Sequence, residues 1–215
     1  MRIQWRVNET SKRAQGLTLH LGCVDDPERI GVEEWLHPRL LASAKKVIGL
    51  DHSHSGLLEM EARNVAGGGL VCGDAMLLPF RDASFDTVVA GEIIEHVGRP
   101  EDLIREAGRV LTPGGRLVVT TPNPFCLPWI IKGRKGPDAS WNPEHVGWFD
   151  GGTLKQLGAR AGGLELAEFL WVENRDPHLD TAPRRYRTYV RLKPLLRRVL
   201  PRWLLSEGIL VSFSR

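Results

Sequence analysis

LTLHLGCVDDPERIGVEEWLHPRLLASAKKVIGLD, residues 17–51, decides the fold class. A β-rich run from Leu17 to Leu21 ends at Gly22, a helical spacing of apolar residues covers 28–44, and a second β-rich run, 46–50, closes on Asp51. Strand, helix and strand at these lengths make one βα unit of a parallel sheet. The alternation continues along the chain. Further strands are expected at 69–72, 85–90, 116–120, 164–172 and 208–213, with helices at 54–65, 100–111 and 151–161. Pro100 opens the helix at 100–111, and Pro113, Gly114 and Gly115 lie beyond its end. The expected class is therefore α/β, with a mostly parallel seven-stranded sheet.

Length and composition agree with one such domain over 1–215. With 215 residues, 42% hydrophobic and 26% charged, the chain can bury a full core. Cys23, Cys72 and Cys126 are too few and too scattered for a disulfide framework, and none belongs to a CxxC pair. No apolar run approaches membrane-spanning length and the first residues lack a signal-peptide core, so a cytoplasmic protein is expected.

The net charge of +3 hides an asymmetry. Residues 181–206 carry Arg184, Arg185, Arg187, Arg191, Lys193, Arg197, Arg198 and Arg202 and no acid; removing those eight from the 29 bases leaves 21 against 26 acids. The segment 174–206 thus reads as a basic amphipathic insertion before the last strand, broken by Pro194 and Pro201. A solvated helix face, a lid, a homodimer contact and a peripheral membrane contact through 184–205 are its alternative readings.

Several strand ends carry residues suited to a nucleotide-like ligand. Gly22 offers a turn without a Cβ, and Asp51, at the end of the neighbouring strand, is placed to bind ribose hydroxyls. After the third strand, Asp74 could accept from an adenine amino group, although an Asp turn explains it equally well.

The chain resembles the class I S-adenosylmethionine-dependent methyltransferases, in particular small-molecule enzymes related to those of ubiquinone biosynthesis. The resemblance covers about residues 15–170 and rests on Gly73-Asp74-Ala75 through Leu78-Pro79-Phe80, Ser84 to Val89, Glu92-Ile93-Ile94-Glu95-His96-Val97, Glu106-Ala107 to Gly115, and His145 to Phe149. It implies a Rossmann-like fold with an antiparallel last strand and helices on both faces of the sheet, and S-adenosylmethionine as cofactor. Gly22, Cys23 and their backbone would hold the methionine portion, Asp51 the ribose, His52 the adenine face and Asp74 with Ala75 the adenine edge. Gly91 would approach the sulfonium. One departure stands out: His20 replaces the family's acid before Leu21-Gly22, and Asp25-Asp26-Pro27 follows where further glycines are usual.

Methyl transfer to a hydroxyl needs the acceptor held in line with the departing sulfur and its proton removed. His96 and His145 are the candidate bases, with Glu92 orienting an imidazole or the acceptor, and no metal is expected. His37 and His54 read as surface residues and His20 as a buried one. Trp129, Trp141, Trp148 and Phe149 are available as pocket walls. These features favour O-methylation of a saccharide or glycan-linked hydroxyl, with a lipid, quinone or polyketide hydroxyl as alternative and a non-catalytic cofactor-binding or membrane-associated scaffold as the alternative of another class. No nucleic-acid partner is expected, because Ala90-Gly91-Glu92-Ile93 stands where amino-methylases of DNA carry an Asn or Asp with two prolines. A nicotinamide dehydrogenase is disfavoured by the lack of GxGxxG after the first strand.

Overall fold

The computed structural model describes residues 5–24, 35–133, 142–173 and 184–215. Its seven strands are β1 (Leu17–Leu21), β2 (Lys46–Asp51), β3 (Leu70–Cys72), β4 (Phe85–Gly91), β5 (Leu111–Pro122), β6 (Glu165–Val172) and β7 (Gly208–Ser214). They form one sheet in the order β3-β2-β1-β4-β5-β7-β6. The first five are parallel, and β7 runs antiparallel between β5 and β6. The expected Rossmann-like arrangement is thus observed. Strand order reverses at β1 and β4, and a crevice outside their carboxyl ends is where such sheets take ligands.

Alternate residues of each central strand feed opposite faces. Val88, Leu117 and Val211 join one core with Leu103, Ile104 and Ala107 of α4 (Pro100–Val110). Val89, Val118 and Leu210 join the other with Val7 of α1 (Arg6–Ser11) and Leu36 and Leu40 of α2 (Leu36–Ser43). This period of two with both faces apolar is what a strand buried on both sides requires. The remaining helices are α3 (His54–Ala62), α5 (Leu127–Gly133), α6 (Gly151–Leu157), α7 (Arg184–Leu196) and α8 (Arg202–Leu205); α6 runs into a π-helical turn at Gly158–Gly162.

Three expectations are corrected here. β5 starts at Leu111 rather than 116, because its pairing with β4 skips from Phe85↔Leu111 to Thr87↔Arg116, and Pro113-Gly114-Gly115 bulges out with Gly114 at φ +79. The basic segment is not simply a solvated face: Lys193 and Arg197 turn inward to Glu173, and Lys193 also meets Glu207. Pro201 caps α8 and separates it from α7, while Pro194 is tolerated within the final turn of α7. The start of that insertion, 174–183, and the first part of the helix expected from 28 lie outside the described residues.

His37 is the third correction. Expected at the surface, it is fully buried on the β1-facing side of α2, stacked on His20 with the two Nδ1 atoms 3.1 Å apart. One ring must donate and the other accept, so the contact is lost once both rings are protonated. Burial pushes both below the ordinary range, His37 to about 4. The native state therefore binds fewer protons than the unfolded chain once pH falls below about 6.5. Stability present above that pH should be lost progressively down to about pH 4, by on the order of 3 kcal/mol from His37 alone. Urea unfolding at neutral and acid pH, repeated with His37→Gln, checks this; an unchanged acid slope in the variant would contradict it.

Candidate functional site

Gly22, Asp51, Gly73 and Gly91 form a row at the carboxyl ends of four adjacent strands, since Leu21 is in register with both Leu50 and Ala90, and Asp51 with Cys72. Gly22 turns the chain at φ +67, its N–H donating to the Leu50 carbonyl at 2.9 Å, and a Cβ there would lie 3.1 Å from Ile93. Asp51 is buried and accepts from the Val24 N–H (3.0 Å) and the Ser53 N–H (2.9 Å). This carboxylate holds the loop after β1 and the start of α3 together beneath the crevice.

The other expected cofactor contacts differ in character. Cys23 is buried, burial pushing its thiol up to about 12, so only its backbone is available to a ligand. His52 is exposed, with Nδ1 3.4 Å from Asp51. Asp74 is exposed and accepts from the Met76 N–H at 2.8 Å, which is an Asp turn, while Ala75 packs into the core. Gly91 lies under α1 and α2: an added Cβ would sit 2.6 Å from Leu36 and 4.0 Å from Arg6 Nη1. Arg6 was not singled out in the sequence because nothing local marks it. Asp25, Asp26 and Trp141 lie outside the described residues.

If Asp51 also accepts two ribose hydroxyls, its removal should weaken S-adenosylmethionine binding by roughly 100-fold, about 3 kcal/mol for hydrogen bonds to a charged group. Calorimetric titration of Asp51→Asn measures it. Affinity within a factor of three of the unsubstituted chain, about 0.6 kcal/mol, would exclude that role.

A second group of side chains lies beyond β4. Glu92 adopts φ +56, an uncommon conformation for a residue with a Cβ, its N–H donating to the Thr120 carbonyl at 2.9 Å. Glu95 is buried; Thr121 Oγ1 donates to its Oε2 at 2.9 Å. The Glu95 carbonyl accepts from the Val146 (2.8 Å) and Gly147 (3.3 Å) N–H groups, which brings His145 against His96 with ring centroids 4.7 Å apart. Ligand atoms of Glu95, His96 and His145 all lie within 4.8 Å of one another.

The electrostatics of this cluster are unusual. Burial, reinforced by Glu92, raises Glu95 to about 8. Burial and then His96 lower His145, against Glu144. Glu92 Oε1, Glu95 Oε1 and His145 Nδ1 are buried without a hydrogen-bond partner. Buried acceptors of this kind are costly unless something satisfies them. Glu92, His96 and His145 are the residues expected from sequence; Glu95 lies in the same motif, but nothing in the sequence marks its burial. Trp148 stands edge-on to His145 and to Trp129, each at 5.8 Å, whereas Phe149 is in the core.

Comparison with known proteins gives relatives for this arrangement. A family model for a methyltransferase domain matches residues 30–119. A protein of Mycolicibacterium smegmatis named "Probable S-adenosylmethionine-dependent methyltransferase" is 34% identical over 133 residues, 60% of this chain and 47% of that protein. The ubiquinone/menaquinone biosynthesis C-methyltransferase UbiE of Paracoccus denitrificans is 43% identical over 94 residues, 41% of this chain and 38% of its own. The chain thus spans less than half the length of these curated relatives. Among solved structures, an S-adenosylmethionine-dependent methyltransferase from Mesorhizobium loti shares the fold with TM-score 0.62 at 21% identity, covering 97% of this chain and 95% of that one. The N-methyltransferase NodS of Bradyrhizobium japonicum, in complex with S-adenosyl-L-homocysteine, has TM-score 0.59 at 14% identity, covering 98% and 84%.

Proposed function

Because the chain belongs to the class I S-adenosylmethionine-dependent methyltransferases, we propose that it methylates a hydroxyl group of a small saccharide or glycan-linked acceptor, using a divalent cation held by Glu92, Glu95, His96 and His145. The observation that carries this reading is the clustering of Glu95, His96 and His145, with the buried, unpartnered Glu92 Oε1 close enough for its charge to act on Glu95. Two carboxylates and two imidazoles form a mixed oxygen and nitrogen donor set suited to several divalent metals. This replaces the sequence expectation that the histidines work without a metal.

A cation bound there would act as a Lewis acid that lowers the pKa of the acceptor hydroxyl. Glu92 and, once the cation displaced its proton, Glu95 would supply the negative charge that balances it. His145 stays neutral to serve as a donor, as its burial favours, and His96 offers a second imidazole nitrogen. Val146 and Gly147, bonded to the Glu95 carbonyl, fix His145 in place. The crevice row from Gly22 to Gly91 holds the cofactor, and Trp129 and Trp148 offer aromatic faces to a ring-shaped acceptor. In the transfer the acceptor oxygen bonds to the methyl carbon as the carbon–sulfur bond breaks, the hydroxyl proton leaves to solvent, and S-adenosylhomocysteine is released.

Dialysis against a chelator should abolish methyl transfer to a panel of labelled-cofactor acceptors, and Mg²⁺ or Mn²⁺ should restore it. Tight Mn²⁺ binding, read by electron paramagnetic resonance, is expected without cofactor or acceptor. Full turnover in chelated buffer would return His96 and His145 to simple base catalysis. The UbiE relatives favour a second reading, C-methylation of a quinone-precursor ring, which an acceptor screen separates by the bond formed. Failure of S-adenosylmethionine to bind would instead favour the scaffold.

A further inference from the structure

We infer that α7, the turn after it and α8 form a docking surface for an anionic phospholipid membrane. Lys193 points α7 inward, toward Glu173 and Glu207. On the opposite side, at helical spacing, Arg184, Thr188, Arg191, Leu192 and Leu195 are exposed, and Arg198 and Val199 extend the same stripe. α8 adds the exposed Trp203.

The composition of this face selects its partner. Val199 is 78% exposed and Leu195 57%, on a segment whose residues 181–206 contain no acid. A merely solvated basic face has no use for four large apolar side chains, and a phosphate-backbone track needs arginine without them. A lipid interface uses both, with the apolar groups entering the headgroup boundary and the guanidinium groups meeting anionic phosphates.

The patch is also tied to the loop after β5. Asn123 Nδ2 donates to the Trp203 (2.6 Å) and Ser206 (2.8 Å) carbonyls, and its Oδ1 accepts from the Phe125 N–H at 3.0 Å. Phe125, and Ile130 and Ile131 of the adjoining α5, are further exposed apolar side chains on the segment tied to α8 in this way. Asn123 lies two residues beyond Thr121, which holds Glu95. No helix among the described residues is long and apolar enough to cross a membrane, so the contact is peripheral.

Co-sedimentation of the full chain with phospholipid vesicles tests this. Binding is expected to phosphatidylcholine vesicles carrying about 30 mol% phosphatidylglycerol, to fall with added salt, and to be absent with phosphatidylcholine alone. Arg191→Ala with Arg198→Ala should weaken it about fivefold per arginine. Leu195→Glu with Val199→Glu should abolish it; if that pair misfolds by circular dichroism, Leu195→Ala with Val199→Ala should still weaken it at least about tenfold. Lack of binding to the anionic vesicles, indifference to both apolar pairs, or preference for a single-stranded RNA oligonucleotide over the vesicles would overturn the inference. The assay needs neither cofactor nor acceptor, so its failure leaves the methyl-transfer reading untouched.

Discussion

Glu95→Gln should lower turnover by about 10²–10⁴-fold while leaving S-adenosylmethionine affinity within a factor of about two. The amide keeps the size of the side chain and its oxygen can still accept from Thr121 Oγ1, so the loop that positions His145 should stay in place. What is lost is the charge that would balance a cation. His145→Ala should cost a similar factor by removing an imidazole whose Nδ1 is otherwise buried and unpartnered. If the four residues act as one unit, the double variant should lose little more than either single one, because a cation already lost cannot be lost again. Independent bases would instead give multiplicative losses. Single-turnover rates with Mn²⁺ present, alongside the Mn²⁺ binding measurement, distinguish the two cases. A Glu95→Gln enzyme that retains full turnover and full Mn²⁺ affinity would remove the proposed centre.

The two halves of this site were unequally legible in the sequence. Gly22 and Asp51 could be placed because each ends a β-rich run, and parallel register then brings the ends of adjacent strands together whatever the loops do. Asp74 was legible as a residue after the third strand, but its turn geometry satisfies the carboxylate locally. The cluster beyond β4 depends on contacts across long separations. Glu95 meets Thr121 and the His145 loop through tertiary hydrogen bonds that no spacing reveals, so its motif could be noticed but not its burial. His37 shows the same limit. Its position on a helical pattern suggested an exposed face, yet the ring finds a neutral partner in His20 and packs inside. Basic residues at 193 and 197 belong to the same class of error, because charge along a helix says nothing about acids brought to it from β6 and β7.

Lys193 carries the largest stability effect expected in the molecule. Its side chain is 7% exposed, its Nζ lies 3.0 Å from Glu173 Oε2, and it also meets Glu207. Lys193→Ala leaves two buried acids facing each other, with Arg197 still offsetting Glu173. Removing one partner of a buried ion pair costs on the order of 3–5 kcal/mol, or roughly 10 °C in Tm for a chain of this size. Burial already raises Glu207, and Lys193 acts against that rise. Without the lysine, Glu207 is driven further toward its protonated form. The native variant then binds more protons than the unfolded chain above the ordinary carboxylate range, so its stability is greatest in mild acid and falls as pH rises. The difference from the unsubstituted protein should therefore narrow near pH 5 and widen near pH 8, measured by thermal unfolding at both. A gap independent of pH would mean that lost packing of the lysine stem, rather than the stranded carboxylates, sets the cost. Because the Glu207 carbonyl accepts from the Asn123 N–H at 2.8 Å, that stability also holds the loop after β5 against β7.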